Sequence, residues 1–243
     1  LKAVAISTSC YSTGRSVTWG QGSDIRAWQR PRRRSLAAVM TVEHVMAALG
    51  ALQIDNVVLD LTGPEIPIRD GSFKDYFRAL SDAEPVEQDA EARVISVGEP
   101  LSTVGDAGQS YVATQGSELR VSATIDFEHA TIGRRFGSFS AEAGAFETEL
   151  APARTFGFKA DAEALHARGL ALGASLENTV VLDDDGVMND GLRFDDEFLR
   201  HKVGDIVEGK RSVLRADLGL DSVRWTKNSL VTGGEEVSGR GWV

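Results

Sequence analysis

The chain has 243 residues, 42% hydrophobic and 26% charged, enough for one or two domains with a sizeable core and too apolar for global disorder. No run approaches the ~18 consecutive apolar residues of a membrane span, and the short apolar start behind the single Lys2 does not read as a convincing signal peptide. A net charge of −10 argues against bulk-electrostatic binding of nucleic acid, and the lone cysteine, Cys10, excludes an internal disulfide and points to a reducing compartment.

The charge is uneven: residues 1–40 carry +6, 41–205 carry −17 and 206–243 carry +1. The basic run Arg30-Pro31-Arg32-Arg33-Arg34 reads as a solvated segment. In this first stretch only Ala3–Ile6 and Ser16–Trp19 look like strand. A chain that opens on Leu1 reads as a fragment.

From Thr41 the periodicity is clear. Val42, Val45, Met46 and Leu49 recur at helical spacing, with Thr41 as the expected N-cap and Gly50 near the end. A buried strand follows at Asn56–Leu61, turn chemistry at Gly63–Ser72 and an amphipathic helix at Phe73–Leu80. Acidic Asp82–Glu91, with Pro85, reads as a linker between two domains. Beyond it, strands are predicted at Arg93–Val97, Ser110–Thr114 and Glu118–Phe127. In the last, Leu119, Val121, Ala123, Ile125 and Phe127 share one face. A short helix is predicted at Asp161–Arg168, a strand at Thr179–Leu182, an acidic turn at Asp183–Gly186 and a strong helix from about Asp195 to Val207. After Glu208 the pattern weakens.

Two segments carry candidate chemistry. On the last helix His201 and Asp205 stand four apart, an imidazole and a carboxylate on one face, in a stripe that also holds Phe194 and Phe198. Unpartnered polar groups on an inward stripe are costly, so these two need a metal ion, each other or solvent. At the other segment, Glu43 and His44 are adjacent and point about 100° apart on a helix. His44 could then bind a metal while Glu43 acts as general base toward a water activated there, completing a His44, His201, Asp205 set of the kind zinc hydrolases use. A helix-dipole acid beside a satisfied core histidine fits the same residues, and spacing alone does not bring the two segments together. His129 and His166 read as structural or surface residues. No P-loop, Gly-x-Gly-x-x-Gly or Gly-x-Ser-x-Gly occurs.

The segments Thr41-Val42-Glu43-His44, Gly63 to Ser72, Ala153-Arg154-Thr155-Phe156-Gly157-Phe158, Gly169 to Ser175, Asn189 to Phe194 and Phe198 to Asp205 together resemble the UDP-3-O-acyl-N-acetylglucosamine deacetylases, zinc amidases of lipid A biosynthesis. They stand in family order and span about residues 41–207. The resemblance implies an α+β fold of two domains, each a β-sheet with helices on one face and the helices sandwiched between the two sheets. The domains would run 1–84, incomplete before 41, and 85–243, with an acyl-passage insert at about 158–190 and divergence after 207. It implies a cytoplasmic enzyme of a Gram-negative bacterium that removes the N-acetyl group from a UDP-linked, acylated glucosamine, in at most loose contact with the membrane surface. Zn2+ would be held by His44, His201 and Asp205, with Glu43 as general base. Thr155 would hold the oxyanion, Lys202 would stabilise charge, and Phe156, Leu170 and Ser175 would meet substrate.

Both ends depart from the family. No histidine follows His201, where the family carries a Gly-His-Ala motif, so impaired turnover is predicted. The alternative is an inactive relative that binds a nucleotide sugar or is vestigial. All four tryptophans and the arginine run lie outside 41–207, a pattern that out-of-frame translation of GC-rich coding sequence before about Ala38 and after about Val207 would produce. Translation of the coding DNA in its other frames tests this. Strands missing from the first sheet would expose edges, so marginal solubility is expected.

Overall fold

Strand alternation and helical stripes produce a mixed chain, and the computed structural model describes it over residues 2–7, 41–60, 66–87, 89, 94–95, 97–105, 109–166, 173–218, 224–225 and 229–235. It is an α+β protein, as expected. In order come β1 (Lys2–Ser7), α1 (Glu43–Ala51), β2 (Asn56–Asp60), α2 (Lys74–Asp82), β3 (Val86–Glu87), β4 (Val94–Ile95), β5 (Leu101–Val104), β6 (Ser110–Gln115), β7 (Arg120–Asp126) and β8 (Arg134–Ser140). There follow the short turn α3 (Ala143–Ala145), a π-helical turn (Phe146–Leu150), β9 (Phe156–Phe158), α4 (Lys159–His166), β10 (Val180–Asp183), β11 (Gly186–Val187), α5 (Glu197–Leu218), β12 (Arg224–Trp225) and β13 (Ser229–Glu235).

The strands pair into β2-β1-β3, β11-β10-β9, β12-β4 and a five-stranded sheet ordered β5-β6-β13-β7-β8. β1 runs parallel to β2, with Ala3 opposite Asn56. β7 shows the predicted alternation: Val121, Ala123 and Ile125 are buried, and Leu119 and Phe127 pack against the same core. On that sheet lies α5, in contact with β7 and β8. α1 packs against both α5 and α2. The core joins Val45, Ala48 and Leu49 of α1, Phe77 and Leu80 of α2 and Phe198, Leu199 and Val203 of α5. Each such large side chain contributes about 1.5–3 kcal/mol on full burial.

Several sequence expectations are corrected. Thr41 is not the N-cap of α1. It lies at a φ of 57°, and Val42 takes the cap position without a side-chain cap bond, leaving Glu43 as the acid in the first turn. The expected linker carries β3, which pairs antiparallel with β1. Phe194 precedes α5, which starts at Glu197 and runs on to Leu218 rather than ending near Val207. Strands β5 and β8 were not foreseen, because Arg134, Arg135 and Gly137 mask the alternation of β8 and all four residues of β5 are exposed. Nor was β13, in the segment after Glu208. It lies between β6 and β7, antiparallel to the first and parallel to the second. The expectation at Ser16–Trp19 lies outside the described residues.

Candidate functional site

The site forms where α1 crosses α5. His44, the second residue of α1, is 1% exposed and His201 on α5 is 3% exposed. Their rings meet edge to face, with centroids 5.3 Å apart. Phe73, just before α2, packs on both: its ring lies 5.0 Å from that of His44 and is stacked 4.8 Å from that of His201. Gly204 makes this possible. A Cβ there would stand 2.3 Å from the Phe73 ring, so any side chain would push the aromatic floor away from the imidazoles.

One turn beyond His201, Asp205 brings Oδ1 to 3.6 Å from His201 Nε2, and its Oδ2 pairs with Lys202 Nζ at 3.3 Å. Glu43 Oε1 stands 3.9 Å from His44 Nε2. Lys202 Nζ also lies 5.7 Å above the Phe156 ring. Thus the structure brings together His44, His201, Asp205, Glu43, Lys202 and Phe156.

Thr155 is next to this cluster in the chain. Its N–H donates to Gly71 O at 2.7 Å, and its carbonyl accepts from Val180 N at 2.8 Å. Gly71 has a φ of +77°, and a Cβ there would overlap the Asn178 carbonyl, so only glycine allows this turn to close on its neighbours. Ser175 lies on an exposed turn, its hydroxyl accepting from Glu177 N at 3.3 Å. Leu170 lies outside the described residues.

The electrostatics are dominated by burial of the two imidazoles. Burial first, and the neighbouring His201 second, bring the His44 pKa down to about 3. Burial likewise brings His201 to about 3, against the opposing hydrogen bond to Ala153. Both rings are therefore neutral at pH 7. Burial raises the Asp205 carboxyl, with Lys202 and His44 pulling the other way. His201 Nδ1 lies 3.1 Å from the Ala153 carbonyl oxygen. A carbonyl only accepts, so Nδ1 carries the ring proton and Nε2 offers a lone pair.

That assignment makes the pocket polar and incomplete. His44 Nδ1, His44 Nε2 and Asp205 Oδ1 are buried without a hydrogen-bond partner. Such groups cost about 1–3 kcal/mol each. Moreover, the lone pair of His201 Nε2 faces the Asp205 oxygen, acceptor against acceptor. A proton or a cation between them removes the conflict. Two neutral imidazoles and one carboxylate are the donor set zinc takes. Nitrogen and oxygen ligands at bonds of about 2.0–2.2 Å around a tetrahedral centre stand about 3.3 Å apart, near the 3.6 Å seen here. Among the described residues no three His, Cys, Asp or Glu side chains form a finished cation site. The donors therefore fit a metal by chemistry and burial, as an open set.

Beside the pocket is a second buried cluster that sequence reasoning missed. Glu197, fully buried, accepts from Arg154 N and Nε at 2.9 Å each, from Arg154 Nη2 at 3.1 Å and from Arg193 N at 2.6 Å. Burial would raise its pKa, but these donors hold it below the ordinary carboxylate range. The available signal was Glu197 itself, an acid one turn before His201 in an apolar stripe. Arg193 extends the cluster to Asp70 Oδ2 at 3.1 Å.

Fold and site define a class: an α+β protein with a buried His, His, Asp donor cluster between two crossing helices. The chain belongs to the UDP-3-O-acyl N-acetylglycosamine deacetylase (LpxC) family, whose model matches residues 27–210. The match starts ahead of Thr41 and takes in the arginine run at 30–34. Among curated relatives named UDP-3-O-acyl-N-acetylglucosamine deacetylase, that of Oleidesulfovibrio alaskensis is 44% identical over 183 residues, covering 75% of this chain and 59% of the relative. That of Geotalea uraniireducens is 42% identical over 172 residues, or 70% and 56%. That of Brucella ovis is 46% identical over 175 residues, or 70% and 60%. The chain thus spans less than two thirds of the length of these relatives.

Proposed function

We propose that this chain is a zinc-dependent amidase that removes the N-acetyl group of a UDP-3-O-acyl-N-acetylglucosamine, a step of lipid A biosynthesis. One observation carries this reading: the buried donor atoms of His44 and Asp205 that lack partners face a neutral His201 whose lone pair also points inward. The relatives' printed names support the substrate class.

In this reading His44, His201 and Asp205 hold the ion. Bound zinc supplies Lewis acidity, polarising a carbonyl oxygen and making water nucleophilic near pH 7. Glu43, half-buried beside His44, would take the proton from the attacking water and pass it toward the leaving amine. The Thr155 hydroxyl donates to the oxyanion of the amide carbon, where one fixed donor is worth about 3–4 kcal/mol. Lys202, held by Asp205, adds positive charge on the same side. Phe156, Leu170 and Ser175 meet the acylated sugar, within an acyl-passage insert at about 158–190.

We place the reaction in the cytoplasm of a Gram-negative bacterium, in loose contact with the membrane surface and with no nucleic-acid partner. Among the described residues no helix is long and apolar enough to cross a membrane. We also propose two domains, 1–84 and 85–243, with their sheets on either side of the helices and β3, just past the boundary, completing the first sheet against β1. Val57 and Leu59 of β2 pack against the same core as Val121, Ala123 and Ile125 of β7, which supports this arrangement.

A second reading, slow or absent turnover with the nucleotide sugar still bound, rests on residues 202–243, which hold no histidine. Two assays separate the readings. Purified full chain should hold one equivalent of zinc, lost in His201→Ala, and should release acetate from the UDP-sugar. Zinc without acetate release, or UDP-sugar binding without zinc, selects the second reading, and a folded chain that takes up neither overturns both.

A further inference from the structure

Glu197 and His201 stand one turn apart on the same face of α5. Both grip a single peptide group. Glu197 Oε1 accepts from the N–H of Arg154 at 2.9 Å, and His201 Nδ1 donates to the carbonyl of Ala153 at 3.1 Å. That N–H and that C=O belong to the one planar unit joining residues 153 and 154, and they point in opposite directions across it.

We propose that Glu197 is a positioning residue that acts on His201 through the Ala153–Arg154 peptide group, a carboxylate–peptide–imidazole relay. This rests on the zinc reading only for its consequence at the metal; the hydrogen-bond chain is independent of it. A carboxylate bonded to a peptide N–H pushes electron density toward the C=O, and hydrogen bonds in series strengthen one another where the dielectric is low. The stronger acceptor holds the Nδ1 proton more firmly, fixes the ring plane and makes Nε2 a better donor of its lone pair. Metal-binding histidines are commonly oriented by a direct carboxylate or carbonyl partner. Here the carboxylate works at one remove, and Arg154 is what keeps a buried Glu197 charged. The side chain of Arg154 contributes Nε and Nη2 to Glu197 and a further Nη2 bond to Gly191 O at 2.9 Å. The same residue thus supplies the counter-charge and, through its backbone, the wire.

The relay predicts which substitutions matter. Glu197→Gln removes the charge and keeps the shape. Arg154→Lys loses the guanidinium fork but keeps both the counter-charge and the backbone N–H, so the relay survives it. With the full chain labelled by 15N-histidine and stripped of metal, the His201 Nδ1–H resonance should move upfield and exchange faster with solvent in Glu197→Gln. In Arg154→Lys it should stay near its original position. Leu80→Ala, a buried change on α2, should leave the resonance in place while lowering stability, which separates the relay from general loosening. Zinc affinity, measured by competition with a chromogenic chelator, should fall about 10–100-fold in Glu197→Gln and only a few-fold in Arg154→Lys.

An unchanged resonance in folded Glu197→Gln overturns the relay, whatever zinc does. So does a shift in Leu80→Ala of the same size. Should Glu197→Gln not fold, Glu197→Asp decides: a displaced Nδ1–H resonance in the folded variant upholds the relay, and an unchanged one sinks it. Failure of the original chain to bind zinc removes the metal reading and leaves the resonance test standing.

Discussion

Helix α5 carries two carboxylates two turns apart, Glu197 fully buried and Asp205 half-buried with one oxygen sealed from solvent, and their fates are opposite. Glu197 has four donors around its two oxygens, and its pKa is held down against burial. Asp205 has one oxygen on Lys202 and one with no partner, and burial pushes its pKa up. The same chemical group, on the same helix, is completed by the protein at one end and left incomplete at the other. A buried charge that the protein satisfies is architecture. One it leaves unsatisfied, beside two imidazoles in the same state or facing it, is a place for something the protein does not itself supply.

The hardest test of this contrast is to break the completed end. Arg154→Leu removes the guanidinium and strands Glu197 in the core. Loss of one partner of a buried pair costs about 3–5 kcal/mol, and the free energy of urea unfolding should fall by that amount in metal-free protein. A loss under 1 kcal/mol would mean that Glu197 is far less dependent on Arg154 than the geometry implies. Gly204→Ala should come next, at about 1–3 kcal/mol, because a Cβ at 2.3 Å from the Phe73 ring forces the aromatic floor to shift. Unlike Arg154→Leu it should also alter the environment of both imidazoles, visible as moved ring-proton signals for His44 and His201.

A pH series separates the two carboxylates without changing their surroundings. The folded pKa of Glu197 lies below its unfolded value, so the folded state refuses a proton that the unfolded state accepts. Its contribution to stability is therefore complete above the ordinary glutamate pKa and is lost as pH falls through the lowered value. The slope of unfolding free energy against pH below about 4.5 should be shallower in Glu197→Gln than in the original chain. Equal slopes would show that this carboxylate is not what the acid limb reports.

Sequence alone revealed the elements with a strong period and the residues with distinctive chemistry. The β7 stripe of Val121, Ala123 and Ile125 was legible because one face is buried and the other is not. His44, His201 and Asp205 were legible as candidates because imidazoles and acids are rare on apolar stripes. Their convergence was not, since Phe73 and Gly204, which set how α1 and α5 meet, look like ordinary core and helix residues in one dimension. Strand β13 was hidden for a different reason: it owes its place to β6 and β7 on either side, and such pairing leaves little trace in local periodicity. The Arg154–Glu197 pair links residues 43 positions apart and is invisible to any window shorter than that.

The smallest effect is the most discriminating. Asp205→Asn keeps the size of the side chain and removes its charge. The new amide can donate to His201 Nε2, where two acceptors face each other at 3.6 Å, and it no longer asks the core to hold an unsatisfied carboxylate oxygen. Against that stands the loss of charge opposite Lys202, a pair with partial exposure on both sides and worth about 0–1 kcal/mol. The gain of one hydrogen bond at a buried acceptor is about 0.5–1.5 kcal/mol, so metal-free protein should become more stable by up to about 1.5 kcal/mol while zinc binding weakens. Stability and metal affinity moving in opposite directions is the signature of a residue kept for function at the expense of the fold. If both instead fell together, Asp205 would be another Glu197, and the contrast between the two ends of the helix would vanish.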